Sequence, residues 1–158
     1  MMPTLDQMST ELLRMAVAYG LSLPIGWNRE RDARSAGLRT FPLVALASCG
    51  LTMLGSDATN GSGDALSRIL QGLVTGIGFV GGGAILREKH SVSGTATAAS
   101  VWNVGILGAA AGLGYFHIAA VLSIVNFMTL KYLKPLKREI QLEAERERTL
   151  SGDSLLDD

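Results

Sequence analysis

The sequence predicts an all-α protein, a polytopic membrane helical bundle with about five transmembrane helices. Three observations lead there. Hydrophobic residues make up 47% of the 158 residues and charged residues only 18%, against about 25% charged in soluble domains. The few charges are clustered: no carboxylate lies between Glu88 and Glu139, and no Lys or Arg between Lys89 and Lys131. That uncharged run of about 40 residues is long enough to cross a membrane twice. Finally, the apolar sequence falls into five separate segments, each near the length that spans a hydrocarbon core of about 30 Å as a helix.

The first segment runs from about Leu12 to Trp27 and is interrupted by Arg14. The second covers Leu38 to Leu54, the third Ile69 to Leu86, the fourth Thr95 to Ala111 and the fifth Phe116 to Leu133. Helices are expected because a helix satisfies its own backbone groups where no water is present. A soluble bundle would need polar outer faces, which segments three to five lack. The intervening stretches Asn28 to Gly37, Gly55 to Arg68, Arg87 to Gly94 and Gly112 to Tyr115 read as loops. The second of them is rich in Gly, Ser, Asp and Asn. Pro135 closes the fifth segment, so residues 1–136 form the transmembrane domain. Residues 137–158 form a short charged tail, whose alternating signs from Lys137 to Arg148 suggest a solvated helix.

Orientation follows from the basic residues. With the N-terminus outside, Arg29, Arg31, Arg34, Arg39, Arg87, Lys89 and six basic residues from Lys131 onward lie inside, and Arg14 and Arg68 outside. Five spans then put the C-terminus in the cytoplasm. The first residues, Met1 to Glu11, carry acids and no basic residue, which is unlike a cleavable signal.

Several motifs invite functional readings. Gly76-Ile-Gly-Phe-Val-Gly81 fits the G-x-G-x-x-G pattern of dinucleotide sites. That chemistry needs a preceding strand and an acid about 20 residues later, and neither is offered here. Small residues four apart instead make flat stripes along which membrane helices pack closely. Gly72 and Gly76, Gly78 and Gly82, and Gly108 and Gly112 have that spacing. Segments three and four are accordingly expected at the packed centre. The run Gly81-Gly82-Gly83 reads as close packing or as a local break.

Polar residues in the spans are Gln71, Asn103, His117 and Asn126, besides Ser and Thr. Intramembrane polar groups serve either as hydrogen-bonded glue or as functional sites, and Asn103 is open to both readings. His117 and Trp27 are expected at membrane edges, and Trp102 is expected to pack between helices. No Ser/His/Asp grouping, paired acids or metal-ligand cluster points to catalysis, a metal or a cofactor. The lone Cys49 gives no disulfide framework. A net charge of zero gives no reason to expect nucleic acid.

Gly26-Trp-Asn-Arg-Glu-Arg31 followed by Ala36-Gly-Leu-Arg-Thr40 resembles the G-x-E-R-E … A-G-L-R-T signature of the MgtC/SapB family. Arg68-Ile69 with Gly76-Ile-Gly-Phe-Val-Gly-Gly-Gly-Ala-Ile85 resembles its R-I … G-I-G-F-L-G-A-G-x-I stretch. Ser93-Gly-Thr-Ala-Thr-Ala-Ala99 with Trp102 resembles its G-L-T-T-A-A-x-x-W stretch. The match in order and spacing runs from about Leu12 to Leu136. Arg29, Glu30, Gly37, Leu38, Arg39 and Thr40 are the motif residues of the first stretch. Asn28 stands where the family has Glu, and Ala96-Thr97 where it has Thr-Thr.

The resemblance implies a bacterial cytoplasmic-membrane protein, linked to low-magnesium and acid-stress adaptation and to survival inside host cells. It also implies a membrane-protein partner, with the ATP synthase as the one the family suggests. The large soluble C-terminal domain of the longest members does not follow the bundle, which favours the shorter branch. The expected function is regulatory, by helix–helix docking on a partner, with a homo-oligomer as a further association. A transporter or channel for Mg²⁺ or another solute is the alternative. Against it, a dehydrating Mg²⁺ site wants carboxylates, and segments two to five contain none.

Overall fold

The computed structural model describes residues 4–31, 36–58, 62–88 and 91–133. Helix α1 spans Leu5–Arg31 and α2 spans Thr40–Ala58. Helix α3 covers Gly63–Gly82, and strands β1 (Leu86–Glu88) and β2 (Ser91–Ser93) follow. Helices α4 (Thr95–Gly112) and α5 (Phe116–Leu133) complete the described chain. The fold is an all-α bundle with one small hairpin. The expected charged tail, Pro135 and the basic residues Arg34 and Lys89 lie outside the described residues.

Helix α1 starts about seven residues before the apolar segment and ends four residues beyond it, because local chemistry supports both ends. Thr4 and Gln7 form a capping box: Gln7 N–H donates to Thr4 Oγ1 at 3.3 Å, and Thr4 N–H to Gln7 Oε1 at 2.9 Å. Asp6 sits in the first turn and Arg29 and Arg31 in the last, which suits the helix dipole. Asn28 to Arg31 are thus helical, not loop. Likewise Gly55 to Ala58 and Gly63 to Arg68 extend α2 and α3, so most of that expected loop is helix. Pro42 is tolerated because it falls in the first turn of α2, where its missing N–H is not needed.

The third segment ends earlier than its apolarity suggests. Gly81-Gly82-Gly83 terminates α3, with Ala84 N–H donating to Gly81 O at 3.0 Å and Ile85 N–H to Gly82 O at 3.1 Å. Leu86 then belongs to β1, which pairs antiparallel with β2 through Leu86↔Ser93 and Arg87↔Val92. Gly94 returns the chain to α4 at φ 85°, a left-handed conformation suited to glycine. Between α4 and α5 the turn is a Schellman motif. Tyr115 N–H donates to Ala110 O at 2.8 Å and Gly114 N–H to Ala111 O at 3.0 Å, with Gly114 at φ 83°.

The core surrounds α4, which packs against α1, α2 and α3. Its small residues let neighbouring backbones come close. A Cβ on Gly108 would stand 2.9 Å from the Ala45 Cα, and one on Gly112 would stand 2.5 Å from the Cys49 carbonyl oxygen. Phe41, Ile25, Leu107, Val101 and Val104 are fully buried around this seam. In α1 the buried residues Ala18, Ser22, Ile25, Gly26 and Arg29 recur at helical spacing and form one stripe.

Helix α3 departs from the expected packed centre. Only Ile77 and Gly81 are buried, and Gly72, Gly76, Gly78 and Gly82 have nothing within 4 Å of a built Cβ. The helix touches α4 along a single stripe, where Ile77 fills the notch at Gly105 and Gly81 meets the Ala98 carbonyl. Its glycine-rich faces therefore point away from the bundle. Phe79, 86% exposed, points outward as well.

Helices α2, α3 and α5 are long and apolar enough to cross a membrane. Leu43, Leu54, Val121, Ile124 and Val125 are exposed on them, as expected of surfaces solvated by lipid. Helix α4 owes its character to Ala, Gly, Ser and Thr, and eleven of its residues are buried in the bundle. Helix α1 carries Glu11 and Arg14 in its first half.

Candidate functional site

The hairpin end of the bundle gathers most of the motif residues. Arg29, 6% exposed, points from the last turn of α1 into the bundle, and its Nη1 donates to Thr97 Oγ1 of α4 at 3.2 Å. Glu30, the next residue, faces the other way. Its Oε2 accepts the Leu38 backbone N–H at 3.0 Å, just before α2 begins. The carboxylate lies against Gly37, where any Cβ would collide with it. Gly37 in turn sits on Gly26 of α1, whose built Cβ would be 3.3 Å from the Gly37 oxygen and from the Leu38 Cα. The Gly37 carbonyl accepts from Thr40 N–H at 3.0 Å and Phe41 N–H at 3.1 Å, opening α2.

Residues 26–31 and 36–40 thus form a clasp. It joins α1 to the start of α2 through Glu30, and α1 to α4 through Arg29. Leu38 and Thr40 are half-buried in it, whereas Arg31 and Arg39 are exposed. The acid belongs there because a carboxylate at a helix N-terminus meets free N–H groups and the positive end of the dipole. Spacing rules did not reveal this cap, since its donor lies eight residues away instead of three. Thr97 stands where the family pattern has its second Thr, beside the departure at Ala96, and it is the partner of Arg29.

Toward the middle of the bundle, α5 is tied on by polar contacts. Ser123 Oγ donates to the Leu21 carbonyl of α1 at 2.6 Å, and Ser100 Oγ lies 3.0 Å from Asn126 Oδ1. Asn126 therefore acts as interhelical glue. Asn103 differs: its Oδ1 is buried and has no hydrogen-bond partner. Trp102 is 47% exposed on the outer side of α4 and does not pack between helices as expected. The one-residue step from the buried Val101 face explains it, since 100° of rotation carries the ring out of the contact. Trp27 is exposed at the end of α1, and His117 is exposed at the start of α5, edge-on to Tyr115 at 6.2 Å.

At the opposite end, Arg14 Nη1 donates to the Gly112 carbonyl at 2.7 Å, placing a cation at the C-terminus of α4. Beside it a cavity of about 310 Å³ is lined by Asp6, Gln7, Thr10, Glu11, Arg14, Met53 and Asp57. Among the described residues no group of three or more His, Cys, Asp or Glu could hold a metal ion. Gly76 to Gly81, the dinucleotide-like pattern, lies wholly inside α3. It lacks the strand-to-helix turn that would present backbone N–H groups to a phosphate.

A bundle of five helices, three of them of membrane-crossing length and apolarity and with lipid-like outer faces, defines a helical membrane protein. Comparison with known sequences specifies it further. The model of the MgtC family matches residues 15–139, and the chain belongs to that family. It is 35% identical over 153 residues to Protein SrpB of Synechococcus elongatus, covering 89% of this chain and 84% of SrpB. To Protein MgtC of Brucella abortus it is 33% identical over 132 residues, 84% of this chain and 55% of that protein. To Protein SapB of Bacillus subtilis it is 29% identical over 147 residues, 88% of this chain and 63% of that protein. The chain thus spans most of SrpB but only half to two thirds of the MgtC and SapB relatives. No solved structure matches.

Proposed function

We propose that this protein is a non-catalytic regulator of the bacterial inner membrane, acting by helix–helix docking on a partner membrane protein. The observation that carries this reading is the outward face of α3. Gly72, Gly76, Gly78 and Gly82 meet nothing within 4 Å, and Gln71 and Thr75 are exposed beside them. Lipid chains gain little from a surface of glycine and amide, whereas another helix approaches such a stripe closely and hydrogen-bonds across it. All five helices span in this reading, N-terminus out and C-terminus in, with the clasp and hairpin at the cytoplasmic surface. Arg31 and Arg39, exposed there, set the topology and offer contacts to anionic lipid or to the partner.

The ATP synthase is the partner suggested by family resemblance, and low-magnesium or acid stress is the setting. A homo-oligomer is a second association the same face supports. Capture in mild detergent, comparing the parent with Gly76→Leu, tests the docking. The parent should retain a discrete membrane-protein partner that the variant loses, and equal capture by both removes α3 from the interface.

Transport of Mg²⁺ is the second reading, favoured only by the cavity at the Arg14 end, whose lining includes Asp6, Glu11 and Asp57 although they form no group that could hold a metal ion. The spans beyond that cavity offer only amide, hydroxyl and backbone oxygens. A Mg²⁺ ion surrenders its water reluctantly and usually gains carboxylates in return. Purified protein in liposomes loaded with a Mg²⁺-sensitive dye is expected to give no influx above empty liposomes. A saturable influx abolished by Asn103→Leu restores the transporter.

A further inference from the structure

The buried residues of α5 recur as Ala119, Ser123, Asn126 and Leu130, one stripe at helical spacing. Two of the four are polar, and Ser123 is satisfied by the Leu21 carbonyl. Asn126, only 8% exposed, is not fully satisfied: its Oδ1 meets Ser100 Oγ, while its Nδ2 is buried with no partner.

The Ser100 hydroxyl sharpens the problem. It has one proton and two acceptors in reach, the Ala96 carbonyl at 2.8 Å and Asn126 Oδ1 at 3.0 Å. If the proton goes to Ala96, the Asn126 amide must turn over and donate N–H to the Ser100 oxygen. Its Oδ1 is then the atom left open. In either orientation one polar atom of a buried carboxamide has no protein partner, and such groups are rarely left so. Asn103 lies three residues beyond Ser100, on the same side of α4, and its Oδ1 is also buried without a partner. Three residues of helix rise about 4.5 Å. A single water making two hydrogen bonds of about 2.9 Å bridges a gap of this order.

We propose that the α4–α5 contact contains an internal water site, with the water held between Asn103 Oδ1 and the Asn126 carboxamide and the amide oriented by Ser100. The chemistry selects the ligand. It must donate to Asn103 Oδ1, and it must accept from Nδ2 or, with the amide turned over, donate to Oδ1. A metal cation suits the oxygen and is repelled by the N–H. Chloride suits the N–H and not the oxygen. Ser100, at the site, brings no charge, and Arg29, on Thr97 one turn away, further disfavours a cation. Water serves either orientation, since it donates and accepts and is found buried with two to four polar partners, whereas a cation suits only the turned-over amide. The site makes the hold of α4 on α5 partly aqueous within an apolar bundle.

The test uses the full chain in detergent micelles with asparagine labelled in ¹⁵N. There are four asparagine carboxamides, at Asn28, Asn60, Asn103 and Asn126. Asn126→Leu identifies its own signal. In the parent, the Asn126 Nδ2 protons should show a cross-relaxation peak to water with the sign of a long-lived bound molecule. A water-soluble gadolinium chelate should leave that peak intact. Asn103→Leu should abolish it while the Asn126 amide signal remains, and Asn103→Ala is read instead if the Leu variant does not fold. A parent with no water peak at Asn126 overturns the site. So does a peak that the chelate bleaches, which means open solvent, or one that survives loss of Asn103.

Discussion

Replacing Gly108 by Ala adds one methyl group where α4 lies directly against the backbone of α2. The new Cβ would stand 2.9 Å from both the Ala45 Cα and the Ala45 carbonyl carbon, closer still to the carbonyl oxygen. Non-bonded carbons settle at about 3.5–4.0 Å, so α2 must retreat by roughly 1 Å along this seam. The obstacle is backbone and cannot rotate away. Retreat of α2 would also loosen the contacts of Gly112 with Cys49 and Thr52, one turn further on. Overpacking of this kind costs about 1–3 kcal/mol, a drop in Tm on the order of several degrees for a chain of this size. Gly108→Leu should be worse, with its product expected at low yield. Gly76→Leu is the internal control, because nothing lies within 4 Å of that position. Thermal melting of the three purified variants in one detergent is the assay. If Gly108→Ala melts with the parent, or Gly76→Leu melts as low as Gly108→Leu, the assignment of the two stripes to inner and outer faces is wrong.

Other consequences are equally direct. Glu30→Ala should lose about 0.5–2 kcal/mol with the cap on α2. Gly37→Ala should be costly with Glu30 present and much less so in the Glu30→Ala background, since the carboxylate is what its Cβ meets. Additive melting shifts in that double-mutant cycle would reject the clasp. Arg14→Gln should destabilise by roughly 0.3–2 kcal/mol by withdrawing the cation from the α4 C-terminus. Unchanged melting would show that the Arg14–Gly112 contact contributes nothing. A reporter active only in the periplasm should be silent when fused at residue 158 and active when fused near Asn60. The reverse pattern rejects the N-out orientation.

The number and order of the helices were legible in the sequence, because membrane-length apolar runs separated by polar stretches leave few other ways to satisfy backbone groups. The fifth segment starts at Phe116, as its apolarity gave, and is helical through Leu133, the last described residue. Boundaries failed where local chemistry outweighed hydropathy. The Thr4–Gln7 box lengthened α1 at its start, and three consecutive glycines ended α3 before its apolar run did. Family membership was also legible, since Arg29, Glu30, Gly37, Leu38, Arg39 and Thr40 stand in recognisable order. Their work was not, because Glu30 caps a helix eight residues away and Arg29 meets Thr97 across 68 residues.

The glycines show most clearly what sequence alone determines. Gly72 and Gly76 on α3 and Gly108 and Gly112 on α4 share one spacing, and that spacing establishes that each pair makes a flat stripe. Which stripe is covered depends on how each helix is rotated about its axis. That rotation is set by the side chains of all its neighbours at once. Ile77 fits the notch at Gly105 and turns α3 so that its own glycines face out, while Ala45, Cys49 and Thr52 close over Gly108 and Gly112. Periodicity within one helix carries no record of those partners, so only the tertiary structure decided which stripe holds the bundle together and which faces outward.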